Sequence, residues 1–97
     1  MNPRKYKPLV QDFLTREISV ESFVQTYQKM FLDEDEPILK EPNATETEIF
    51  WILEKIFEAT ESYYPDCAVG EETRYVISEQ RLREEISEQL ANLEKYL

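Results

Sequence analysis

Apolar and polar positions recur with a helical period in four places along this chain. The longest such pattern starts at Thr45 and runs to Pro65. On a wheel of about 100° per residue, Ile49, Ile52, Leu53, Ile56, Phe57 and Thr60 gather on one face. Glu54, Glu58 and Glu61 point elsewhere, toward water. Trp51 lies nearly opposite Ile49, on the wet side among these carboxylates. The helix should stop at Pro65, because the residue before a proline avoids the helical region. Asn43-x-x-Glu46 and Thr45-x-x-Glu48 both fit a capping box, so its start is open between them.

Three further helices follow from the same periodicity. The first should begin between Lys5 and Pro8, where a proline in the first turn costs no hydrogen bond. Its stripe is Tyr6, Leu9, Val10, Phe13 and Leu14, and it should end near Glu17. Ser19 then reads as the N-cap of a second helix, Val20 to about Leu32, with Ile18 placed to pack on Phe23 as a hydrophobic staple. Its inner residues are Phe23, Val24, Tyr27, Met30 and Phe31. The Ile-Ser device recurs at Ile77-Ser78, with Leu82 as the staple partner. The fourth helix runs from Glu79 to about Tyr96 on a seam of Leu82, Ile86, Leu90, Leu93 and Leu97.

The connections are of three kinds. A very short link makes the first two helices an antiparallel hairpin. Asp33-Glu34-Asp35-Glu36-Pro37 closes the second helix, since acids at a C-terminus oppose the macrodipole, and these acids read as a solvated loop. Residues 66–72 read as a loop and Thr73 to Ile77 as a short extended segment. The expected fold is all-α, an antiparallel four-helix bundle in one domain over residues 1–97.

Composition changes this picture mainly by exclusion. The chain has no His, so Ser-His and Cys-His nucleophiles, ordinary zinc sites and Glu-x-x-His di-iron bundles are out. Its single Gly leaves little room for a phosphate-cradling loop. Cys67 is the only cysteine and sits between Asp66 and Glu71, so it reads as a bystander thiol. The expectation is therefore no enzyme, no cofactor and no metal. With no apolar signal core at the basic N-terminus and no long apolar run, the chain reads as soluble and cytoplasmic, away from membranes.

Charge adds a partner. The formal net charge is -10. Residues 33–72 hold thirteen acids and two bases, so all the excess negative charge lies in that stretch. Clustered charge of one sign costs self-repulsion and creates a field that a basic partner can use.

Two stretches then carry a resemblance. Leu9-Val-Gln-Asp-Phe-Leu-Thr-Arg-Glu-Ile-Ser-Val-Glu-Ser-Phe23 and Glu54-Lys-Ile-Phe-Glu-Ala-Thr-Glu-Ser-Tyr-Tyr-Pro-Asp66 resemble the immunity proteins of the colicin D type. These are small acidic helical proteins that neutralise a tRNA-cleaving toxin domain, with relatives beside contact-dependent growth inhibition toxins. The stretch from Leu9 is similar to the family's opening helix, Ile-Ser turn and second helix. The stretch from Glu54 is similar to its third helix and the Pro-Asp turn that follows. The long loop after Tyr64 and the longer last helix depart from the family's pattern.

The resemblance implies that Glu61 and Asp66 meet the toxin's basic catalytic cleft, where the tRNA backbone would otherwise lie. Glu58, Glu54, Trp51 and Tyr64 complete the expected toxin-binding set, with Tyr63 and Tyr64 divided between core and surface. The expected partner is a basic nuclease domain, bound 1:1 by a monomer, with no direct contact to nucleic acid. An acidic helical adaptor for some other basic protein is the alternative reading.

Overall fold

The computed structural model describes residues 2–34, 44–73 and 75–97. Four helices account for most of them: α1 (Lys7–Leu14), α2 (Val20–Leu32), α3 (Ala44–Ser62) and α4 (Glu79–Leu93). Short 3-10 turns precede α1 (Pro3–Lys5) and follow α4 (Glu94–Tyr96). Among the described residues there is no strand, only an isolated parallel bridge between Tyr63 and Ile77. Each helix packs on two neighbours, α1 on α2 and α4, and α3 on α2 and α4. The fold is the expected all-α antiparallel four-helix bundle. The start of α4 adjoins the end of α3 through Ile77 and Ser62, and Tyr96 after α4 reaches back to Glu48 near the start of α3.

Both Ile-Ser devices work as local chemistry predicts. Ser19 Oγ accepts from Ser22 N at 3.1 Å, and Ser78 Oγ accepts from Arg81 N at 3.2 Å. Each satisfies a backbone donor that the first turn leaves orphaned, a cap worth ~1 kcal/mol. Ile18 and Ile77 join the core beside Phe23 and Leu82.

Three helix ends differ from the sequence reading. First, α1 stops at Leu14, short of Glu17. Arg16 takes φ 66, which reverses the chain without a glycine to mark the place. Second, α3 begins at Ala44, so Thr45 is inside the helix and does not cap it; Asn43, the other capping candidate, lies outside the described residues. Third, α3 ends at Ser62, earlier than the proline requires: Tyr63 N–H still donates to Ala59 O, but Tyr64 N–H and Ser62 O turn to Ile77. Among the described residues of the expected extended segment from Thr73, Ile77 alone pairs in this way.

The core is built around aromatic rings. Phe13 stacks on Phe23 at 4.2 Å between centroids, and Phe31 on Phe57 at 4.8 Å, with Tyr27 between the two pairs. Tyr27 is fully buried, and its hydroxyl donates to the Leu53 carbonyl at 2.7 Å. The α3 face expected to be inner is inner, with Ile49, Leu53, Ile56 and Thr60 buried and Ile52 and Phe57 packed against the core. Ala59 is buried too, although alanine gives no pattern signal.

The loop acid Glu34 departs most from expectation. Its carboxylate accepts from the Tyr6 hydroxyl at 2.6 Å and pairs with Lys5 Nζ at 2.5 Å. Burial alone would push its pKa up, but these two hydrogen bonds hold it below the usual value. A residue that reads as solvated is thus part of the seal between the N-terminus and the end of α2. Asp35 and Glu36 lie outside the described residues.

Candidate functional site

The acids of the middle stretch divide by what they touch. Glu34 is held by Tyr6 and Lys5. Glu48 accepts from the Tyr96 hydroxyl, which pushes that phenol's pKa up. Glu72 accepts from both the backbone N–H and the hydroxyl of Ser78, at 3.2 and 3.1 Å, where the α4 macrodipole favours a negative charge. These three carboxylates are occupied in holding the fold.

Glu54, Glu58, Glu61 and Asp66 are not. Among the described residues none of them makes an ion pair or a side-chain hydrogen bond. Glu58, Glu61 and Asp66 are exposed, while Glu54 is half-buried and offers less of its carboxylate to a partner. Residues 51, 54, 58 and 61 follow one another at helical spacing, so Trp51 and the three glutamates form a stripe about 15 Å long on the outer face of α3. Trp51 is 55 % exposed, with its ring tilted against Phe50 at 5.5 Å. The helical wheel placed this indole correctly on the wet side. Lys55 shares the stripe and offsets part of its charge.

Asp66 is presented differently, by a β-turn. The Tyr64 carbonyl accepts from Cys67 N–H at 3.0 Å, with Pro65 at the second position, where its fixed φ favours the turn, and Asp66 at the third. The turn hangs from the α3–α4 bridge: Tyr64 N–H donates to Ile77 O at 3.1 Å and Ile77 N–H to Ser62 O at 2.8 Å. Main-chain bonds therefore hold Asp66 close to the end of α3 that carries Glu61. The tyrosine pair divides as expected. Tyr63 is half-buried against the core, and Tyr64 is 54 % exposed beside the turn.

A further turn follows, with Glu71 N–H donating to Ala68 O at 3.0 Å. Gly70 takes φ +97 at its third position, a conformation that selects glycine. Cys67 is half-buried, and its thiol is pushed up by burial and then by Glu72 and Glu71, which suppresses the reactive thiolate.

Sequence reasoning did not find the cleft that runs beside the stripe. It lies between α3 and α4, encloses about 710 Å³, and is bordered by Glu58 and Glu61 on one side and Glu85 and Glu88 on the other. Tyr75, 72 % exposed, stands at its edge. No pattern in the sequence marks it, although the small Ala59 is among the residues that line it.

No described helix is long and apolar enough to cross a membrane. Neither a curated protein nor a solved structure matches the chain. The family model for bacterial self-protective colicin-like immunity, by contrast, matches residues 1–93. With that match over nearly its whole length and the helical bundle beneath it, the chain belongs to the colicin-like immunity family, as an immunity protein that binds a bacterial toxin.

Proposed function

We propose that this protein neutralises a nuclease toxin, a tRNase, by covering its basic active-site cleft with the outer face of α3 and the Pro65-Asp66 turn. It performs no chemistry of its own in this reading. Glu61 and Asp66 stand where substrate phosphates would lie, Glu58 and Glu54 extend the acidic track, and Trp51 and Tyr64 supply apolar contact. The complex is 1:1 and forms in the cytoplasm.

One observation carries the reading. Glu34, Glu48 and Glu72 have partners within the fold, but Glu58, Glu61 and Asp66 are exposed and unpaired beside two exposed aromatics. Exposed like charges on one face cost self-repulsion, a cost that a basic partner relieves. A tRNase must present Lys and Arg to phosphates, and carboxylates on a rigid helix can pair with those cations. Opposed fields also speed encounter, which suits an inhibitor that must act before the nuclease meets its substrate.

The test is titration of a purified colicin-D-like tRNase domain with this protein, with tRNA cleavage and calorimetry read at two salt concentrations. The reading expects stoichiometric inhibition and an affinity that falls as salt rises. Alanine at Glu61 and Asp66 together should weaken the complex by well over the ~1 kcal/mol of an exposed pair. Wild-type affinity in that double variant would remove these two residues from the interface.

A further inference from the structure

The cleft between α3 and α4 is more than an extension of an acidic face. Its floor is apolar, made by Ala59 and Ile77, both 5 % exposed. Tyr75 stands exposed at its edge. Carboxylates border it from both helices, Glu58 and Glu61 from α3 and Glu85 and Glu88 from α4. Among the described residues two cations also line it, Lys55 and Arg81. Arg81 is taken by Glu85 at 3.0 Å, so its charge is answered inside the protein. Glu58, Glu61 and Glu88 make no ion pair among the described residues.

We infer that this cleft receives an arginine-bearing segment of the toxin, making α4 and Tyr75 a second wall of the interface. The inference rests on the toxin-binding reading above and adds elements that reading leaves out.

Three features select such an occupant. The first is shape. An open cleft of about 710 Å³ between two helices gives room for a few side chains of a partner's segment. The second is layering. Arginine carries an apolar stem that fits the Ala59–Ile77 floor and a planar cation that stacks on a ring such as Tyr75. The third is charge in a recess. Walls of one prevailing sign around low-dielectric material focus the field more than a convex helix face can. A nuclease supplies the matching group, because the arginines that grip phosphate are forked donors suited to carboxylate pairs.

The experiment measures toxin-domain affinity by calorimetry for the full-length protein, for Tyr75→Ala, for Glu88→Gln and for both together. Glu94→Gln serves as a control that removes the same charge at an exposed position after α4. Glu88 is exposed, so the melt of Glu88→Gln should match wild type, and each variant's affinity is read at a temperature where its own melt shows it folded. Each cleft variant should weaken binding by about fivefold or more, and the pair by about thirtyfold, as expected for anchor contacts. The control should stay within about twofold. Wild-type binding in both cleft variants, with Glu61→Ala/Asp66→Ala still weakened, would overturn the cleft alone and leave the α3 reading standing. An equal loss in Glu94→Gln would reduce the effect to net charge and overturn it as well. Failure of the wild-type protein to bind would remove both readings.

Discussion

Arg83 should be the most costly single polar residue to remove. It projects from α4 toward the end of α1, and its side chain is only 15 % exposed. Its guanidinium lies 4.2 Å from the Phe13 ring centroid and donates through Nη1 to the Phe13 carbonyl, and its Nε pairs with Glu79 at 3.0 Å. Phe13 is in the last turn of α1, where a cation is favoured, and its carbonyl also accepts from Arg16 N–H at 3.1 Å. Arg83→Met keeps an apolar stem of similar reach and removes the charge. A hydrogen bond from a charged group is worth ~1.5–3 kcal/mol, the stacked cation ~0.5–2, and the pair with half-exposed Glu79 ~0.3–0.5. These terms overlap, because one group makes all three, and methionine recovers some apolar contact. The expected loss is therefore about 2–3 kcal/mol, or about 10–20 °C in Tm for a chain of this size. Urea unfolding followed by circular dichroism measures it, with the midpoint moving at constant slope. A loss below about 1 kcal/mol would refute the role of Arg83 as the tie between α1 and α4.

Other outcomes follow from the same packing. Glu34 has a lowered folded-state pKa, so its contribution to stability should be complete above its unfolded value and vanish as pH falls through the folded one. Denaturant melts from pH 6 downward should show this acid-side loss, and Glu34→Gln should lower stability at neutral pH and flatten the slope. Ser78→Ala should cost more than Ser19→Ala, about 2 against about 1 kcal/mol, because Ser78 also donates to Glu72. Trp51→Ala should leave melting nearly unchanged, given the 55 % exposure of the ring, while weakening toxin binding by about 2 kcal/mol if the indole is an anchor. Equal affinities of Trp51→Ala and wild type would move the anchor elsewhere.

What the sequence made legible was periodicity and its local punctuation. The α3 inner face, both Ile-Ser starts and the outward Trp51 all follow from spacing of 3.6 and cap chemistry, which depend on near neighbours alone. What stayed hidden depends on partners distant in sequence. Glu34 read as solvated because its partners, Lys5 and Tyr6, are far from it in sequence, before the start of α1. Arg83 gave no signal in the sequence, because its role depends on Phe13, seventy residues away. The premature end of α3 came from Ile77 taking the Tyr64 N–H and the Ser62 carbonyl that would have continued the helix. For the candidate site, the exposure of Glu58, Glu61, Asp66, Trp51 and Tyr64 follows the helical wheel and the turn, whereas the cleft needed α4 in place.

The bridge between Tyr63 and Ile77 has a consequence for divergence. It clasps the chain on either side of the turn-rich segment, so everything between is a closed excursion whose length the four helices do not sense. Doubling such an excursion costs only ~0.6 kcal/mol of closure entropy, less than the loss of one helix cap. Apart from Glu72, which ties this segment to Ser78, residues 65–76 can therefore be rewritten, lengthened or recharged against a changing toxin while the aromatic core and the clasp persist. An immunity protein built this way can change its specificity without refashioning its scaffold.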